Sequence, residues 1–200
     1  MREYAIARIE GAPDWEKIPA LGIDNHLWLG ESDIRAEAQI CYGEDALFVR
    51  LRAWERHIRA EHTGRPHQIA DDSCLEFFFC PAPGDTRYFN VEMNPNGALY
   101  LGFGSGRADL VRLLVADEQE LFRPKPFRMD GGWGIEYRVP FEFIRRFLPE
   151  FRAEVGRAIR ANCYKCGDKT ARPHYIAWNP PASATPDFHR PEDFGRMVFA

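Results

Sequence analysis

The sequence has no run of apolar residues long enough to cross a bilayer, and its N-terminal stretch, MREYAIARIEGAPDW, lacks the apolar core of a signal peptide. No membrane partner is expected, and the chain as written is expected in the cytoplasm. Positive charge is not in excess either: 26 Lys and Arg stand against 30 Asp and Glu, for a net charge of −4 and a pI near 5.9. Phosphate binding depends on clustered cations, so nucleic acid is not expected as the main partner. A disulfide framework is missing as well. Cys41, Cys74, Cys80, Cys163 and Cys166 are odd in number and follow no staple pattern, so reduced thiols are expected. Repeats, low-complexity tracts and linkers are absent, and helical periodicity is sparse. What remains suits one domain over residues 1–200, with 45% hydrophobic and 14% aromatic residues. A chain of that length buries roughly 70% of its unfolded surface.

Short alternating segments separated by Gly, Pro and Asp clusters dominate, which predicts an all-β fold, an antiparallel sandwich of two sheets with one short helix. Strands are expected at Tyr4–Ile9, Ala36–Tyr42, Leu47–Trp54, Cys74–Cys80, Tyr88–Asn94, Ala98–Phe103, Phe127–Met129, Trp133–Val139, Ala158–Tyr164, His174–Trp178 and Gly195–Phe199. Gly43-Glu44-Asp45 and Pro95-Asn96-Gly97 have the chemistry of hairpin turns. PFEFIRRFLPEF reads as the helix, with Pro140 near its first turn and Pro149 near its end. A Pro-rich stretch, Asn179 to Pro191, lies between two of the strands.

The stretch DSCLEFFFCPAPGDTRYFNVEMNPNGALYLG carries the strongest signal, because its strands have two chemically different faces. Alternation puts Leu75, Phe77, Phe79, Phe89, Val91, Met93, Leu99 and Leu101 toward the core. Ile135 is expected to join them. The opposite face carries Glu76, Phe78, Tyr88, Asn90, Glu92, Asn94 and Tyr100, a mixture of rings, amides and carboxylates. In the later strand Arg160, Asn162 and Tyr164 alternate with Ile159, Ala161 and Cys163, so that polar set again contains an amide and a ring. Two readings fit this surface. It is a satisfied hydrogen-bond lattice on a half-exposed sheet, or it is a site for a polyhydroxylated ligand, with rings for apolar faces and amides and carboxylates for hydroxyls.

Other constellations are weaker. Cys163-Tyr-Lys-Cys166 is a lone CxxC with no second pair at zinc-finger spacing and no helix start after it, so a buried or edge-strand cysteine pair is expected. Gly102-Phe-Gly104-Ser-Gly106 opens no βαβ unit and reads as a flexible loop. Glu76 and Glu92 could be imagined as paired glycosidase carboxylates. His174 and His189 lack a nucleophile motif and are expected to cap loops or bond to backbone.

The segments DSCLEFFF, NVEMNPNGALYLG, WGIEYRVPF, NCYK and HYIAWNPPASATPDFHRPEDFGRMVF occur in that order, and together they resemble the family 9 carbohydrate-binding modules, in particular the free-standing family 9-like proteins. The resemblance spans roughly Asp72 to the C-terminus, with a weaker likeness in Ala36 to Trp54. It implies a β-sandwich that binds oligosaccharide or polysaccharide without catalysis, gripping the sugar between two aromatic walls with polar groups beneath. Carried over by position, it makes Trp178 one wall and Glu76 and Asn90 ligand-facing groups. Glu92, Asn162, Tyr88 and Tyr164 complete the expected site. The family's second ring, six residues before that Glu, falls here on Ala70, so a nearby ring such as Trp54 or Tyr42 would have to compensate. Family members also carry structural calcium, but Asp71 and Asp72 supply too few of its six to eight oxygens, and no metal or cofactor is assigned. The related DOMON sandwiches hold haem through Met and His; Met93 falls on the core side and no His matches. The competing expectation is a structural or protein-interaction domain that has lost sugar binding, with Ala70 as its main support.

Overall fold

Side-chain alternation and turn chemistry place most of the strands. A computed structural model describes residues 1–64 and 68–200. Within them fourteen strands run as β1 (Glu3–Arg8), β2 (Leu21–Ile23), β3 (Asn25–His26), β4 (Arg35–Tyr42), β5 (Ala46–Trp54), β6 (Cys74–Cys80), β7 (Tyr88–Met93), β8 (Leu99–Gly104), β9 (Val111–Arg112), β10 (Lys125–Met129), β11 (Gly132–Pro140), β12 (Ala158–Cys166), β13 (Tyr175–Ala177) and β14 (Gly195–Phe199). Two short helices, α1 (Glu118–Phe122) and α2 (Phe141–Phe147), accompany them. Each strand expected from the sequence forms, with ends shifted by a residue or two. The additional strands β2, β3 and β9 hold only two or three residues, too short to leave a period-two signature. Both hairpin turns form: Gly43 N–H donates to Ala46 O across the first, and Gly97 closes the second with φ +74°. That left-handed value favours glycine. Helix α2 starts immediately after Pro140 and ends before Pro149, as the proline positions imply. Helix α1, missed by the pattern, is five residues long.

One expectation needs correcting, because the sheet is mixed rather than wholly antiparallel. The strands follow one path, β10-β11-β5-β4-β1-β14-β12-β6-β7-β8-β9. Strand β1 is the joint: residues Glu3–Ile6 pair parallel to β14, and Ala7 and Arg8 pair parallel to β4. In place of two separate antiparallel sheets there is one continuous mixed sheet, whose two halves meet at β1. Period-two patterning is the same for parallel and antiparallel strands, so this joint leaves no trace in the pattern.

Both halves contribute to one core. Phe77, Phe79, Val91, Leu101 and Ile135 are all at most 2% exposed, together with Val49, Leu51 and Met197. Phe77 stacks on Phe79, Phe79 on Phe89, and Phe89 meets Phe143 of α2. Met93 is one more core side chain. A charged cluster is buried beside this core: Lys165 Nζ lies 3.2 Å from Glu55 Oε1 and 2.6 Å from His174 Nε2. Glu55 also accepts from the Trp133 indole N–H at 2.6 Å and the Ser73 hydroxyl at 3.0 Å. These bonds tie the end of β5 to β11 and β12, which makes a buried charge tolerable.

The opposite face of β6, β7 and β12 is covered as well. Phe78, Tyr88, Tyr164, Phe188 and Phe194 form a second apolar cluster with Cys74, Cys80 and Cys166. The covering strap is the Pro-rich stretch after β13. Phe188 lies flat on Tyr164 at 4.0 Å, and the Tyr164 hydroxyl donates to Phe188 O. Asn162 pins the start of the strap, giving its amide N–H to Asn179 O at 2.7 Å and accepting from Asn179 N at 2.9 Å. At the far end the Tyr88 hydroxyl meets His189 Nδ1 at 2.7 Å. Burial, then the nearby Arg107 charge, pushes the His189 imidazole down to about 4. Among the described residues no helix is long and apolar enough to cross a membrane.

Two outcomes follow. Phe77→Ala should cost about 3–5 kcal/mol in urea unfolding because it opens a cavity under two stacked rings, whereas Leu114→Ala, at an exposed position, should stay within about 0.5 kcal/mol. A histidine whose folded value is depressed contributes stability that is complete above its unfolded value and lost as pH falls toward the folded one. For His189 that window runs from 6.5 down to about 4. The stability advantage of the wild type over His189→Gln should therefore shrink by about 2 kcal/mol between pH 7.5 and pH 5. A pH-independent difference would show that the ring is not held neutral.

Candidate functional site

The strap does not cover the whole face. Beside it, over β6, β7 and β8, lies a cleft of about 500 Å³. Its polar lining comes from strand geometry: Asn90 and Glu92 are two residues apart on β7, and Glu92 is the register partner of Glu76 on β6. Four rings line it as well. Tyr100 projects from β8, Tyr175 from β13, Phe188 from the strap and Trp28 from the segment after β3. Trp28 adopts a left-handed backbone with φ 57°, its indole N–H donates to Ser183 O at 2.7 Å, and it packs against Tyr175 and Phe188 at about 5.5 Å. Arg107 and Asp187 form an ion pair at the rim, and Asp71, Asp168, Ala70 and Cys166 also line the cavity.

The polar floor is buried and only partly satisfied. Asn90 is 0% exposed; its amide N–H donates to Glu92 Oε1 at 2.9 Å, while its Oδ1 has no partner among the described residues. A buried amide oxygen left unpaired costs about 1–3 kcal/mol, so a ligand donor at this point would recover a real penalty. Glu76 accepts the Cys166 thiol at 2.9 Å. Burial and the facing Glu92 push the Glu76 carboxyl well up, and burial pushes Glu92 up to about 7, against the lowering effect of the Asn90 amide. Both shifts favour the neutral form of the carboxyl, and near pH 7 Glu92 is poised between its two forms. The floor brings two carboxyl groups and a free amide oxygen into one patch, and carboxyls shifted toward their neutral form can donate to hydroxyls as well as accept from them.

Of the residues singled out in the sequence, Glu76, Asn90 and Glu92 are brought together in this cleft. Tyr88, Asn162 and Tyr164 are not. All three lie buried under the strap, and Asn162 has its oxygen and its N–H engaged by Cys163 N, Asn179 and the Tyr164 hydroxyl. Trp178 does not line the cleft either. It is 3% exposed in the main core, and its ring fills the space a Cβ on Gly195 would need, 2.4 Å from that position. The proposed substitutes for the second wall lie elsewhere too: Tyr42 is buried edge-on to Phe199, and Trp54 sits between the guanidinium groups of Arg35 and Arg52. The rings that do reach the cleft beyond Tyr100 were missed. Their signal was faint, a lone Trp in NHLWLG just before Gly30 and a Phe in the Pro-rich strap.

The calcium of the family has no cage at Asp71 and Asp72. Asp72 Oδ2 accepts from Glu61 N, His62 N and Asn94 Nδ2, and Asp71 pairs with Lys169. Donors and a cation surround these carboxylates where a calcium shell needs oxygens. Gly102 to Gly104, expected in a flexible loop, belong to β8, and the turn after them is closed to phosphate, since Asp109 takes the N–H groups of Ser105 and Gly106.

Several solved structures share the fold. A candidate carbohydrate-binding protein from Bacteroides uniformis is 22% identical, with a TM-score of 0.86 over 100% of this chain and 99% of that one. A family 9 module from Caldicellulosiruptor kristjanssonii, solved with cellotriose, is 10% identical, with a TM-score of 0.70 over 99% of this chain and 93% of that one. Its glucose complex is 11% identical at a TM-score of 0.70, covering 100% and 96%. No curated protein matches in sequence. The description of carbohydrate-binding family 9 matches residues 8–199, nearly the whole chain, and the protein belongs to that family.

Proposed function

We propose that the cleft over β6, β7 and β8 binds a saccharide without chemical conversion. The observation that carries this reading is Asn90, fully buried yet with its Oδ1 unpartnered among the described residues, on the floor of a cleft that four rings also line. Rings pack against the C–H faces of a pyranose, and the floor exchanges hydrogen bonds with its hydroxyls. The glucose and cellotriose bound by the Caldicellulosiruptor module make those sugars the first ligands to try. Glu76 and Glu92 face each other across neighbouring strands of one wall. A glycosidase instead sets its two carboxyls on either side of the scissile bond. Ala70, the position the resemblance assigns to the second ring, lines the cleft, and Trp28 supplies aromatic surface there.

Calorimetric titration with glucose and cello-oligosaccharides tests this, with a glycan array if neither binds. Asn90→Ala should weaken binding about ten- to a hundredfold, the equivalent of one lost buried hydrogen bond. Trp28→Ala should weaken it about tenfold through lost ring contact. Trp178→Ala should instead unfold at lower denaturant, losing about 3–5 kcal/mol of stability. Prolonged incubation should leave the oligosaccharide intact. Failure of the folded wild type to bind any glycan would overturn the proposal in favour of an interaction domain.

A further inference from the structure

Three side chains at the back of the cleft form a donor set unlike the rest of it. Cys74 and Glu76 are two residues apart on β6 and share a face, and Cys166 on β12 is the direct cross-strand partner of Cys74. Their sulfur and oxygen atoms lie within 4.8 Å of one another, and all three residues are buried. Both thiols are free, and that of Cys166 donates to Glu76 Oε1 at 2.9 Å, so a proton occupies the space between them. The CxxC spacing does not produce this group. Cys163 and Cys166 are three apart on one strand and point to opposite faces, Cys163 into the main core and Cys166 toward Cys74. Strand pairing assembles the site instead.

We propose that Cys74, Glu76 and Cys166 bind a thiophilic divalent cation of the zinc type. Tetrahedral zinc places its sulfur and oxygen ligands roughly 2.0–2.3 Å from the metal and so about 3.3–3.8 Å from one another, which these atoms, within 4.8 Å of one another, reach by side-chain shifts of up to about 1 Å. Two sulfurs in the set select against magnesium and calcium, which prefer all-oxygen shells. Each cation that enters releases the two thiol protons to solvent, and Glu76 binds it through a carboxylate oxygen. Glu76 and Cys166 line the cleft and Cys74 does not, so the fourth coordination position faces the cleft and takes a water or a ligand oxygen.

The test uses the reduced full chain without saccharide, titrated with Co²⁺ as a spectroscopic probe and then with Zn²⁺. The expected result is one equivalent bound, with tetrahedral d–d bands and a thiolate-to-cobalt charge-transfer band that zinc abolishes by displacement. Cys74→Ser and Cys166→Ser should each lose the charge-transfer band's two-thiolate intensity, while Cys163→Ser and Cys41→Ser should keep it. Because a buried serine can unfold the sheet, X-ray absorption at the zinc edge of the wild type gives a second reading that needs no variant: two sulfurs at about 2.3 Å plus oxygen. Absence of stoichiometric binding, bands unchanged in both serine variants, or a zinc shell without sulfur would each overturn the proposal. None of these results depends on whether the cleft binds sugar, so the two readings fail separately.

Discussion

Strand β6 is covered on both faces, and the candidate site depends on that double burial. CLEFFFC sends Leu75, Phe77 and Phe79 into the main core and Phe78 under the strap, where Tyr164 and Phe188 stack. A sheet face open to water would surround Glu76 with solvent and leave it an ordinary carboxylate. Enclosed between the strap and β7, it faces Glu92 across a small gap in a low-dielectric setting. Burial and the facing charge each disfavour the ionised form of such a pair. The donor and acceptor character of the floor follows directly from this.

The strap is held by polar groups that resemble site residues without being in the site. Asn162 uses its amide on Asn179, and Tyr164 and Tyr88 spend their hydroxyls on Phe188 O and His189. Their satisfied state contrasts with Asn90, which sits on the same side of the sheet with an oxygen to spare. The difference between structural and available polar groups is therefore where the strap ends, not what kind of residue each is.

The same sheet also sorts the cysteines. All five are free and buried, and burial pushes the Cys74 thiol up to about 12. Cys163 behaves as a core residue. Cys74 and Cys166 are placed opposite one another by antiparallel pairing, beside the Glu76 carboxyl, which accepts the Cys166 thiol hydrogen.

Local alternation was enough to establish the longer strands, the core side of β6 to β8, and the shared face of Glu76, Asn90 and Glu92, because period two is a property of neighbouring residues that survives any packing. The order of the motifs was enough to indicate the family. Tertiary structure alone decided what depends on distant segments meeting. The parallel pairing of β1 with β4 and β14 joins chain ends that no local pattern relates. Trp178, expected as a wall, is enclosed because Gly195 leaves a slot for its ring, and Trp28, for which no expectation arose from the sequence, reaches the cleft held by the strap at Ser183. Each is an aromatic beside turn residues in the sequence, and only the path of the loops determines which is enclosed and which reaches the cleft.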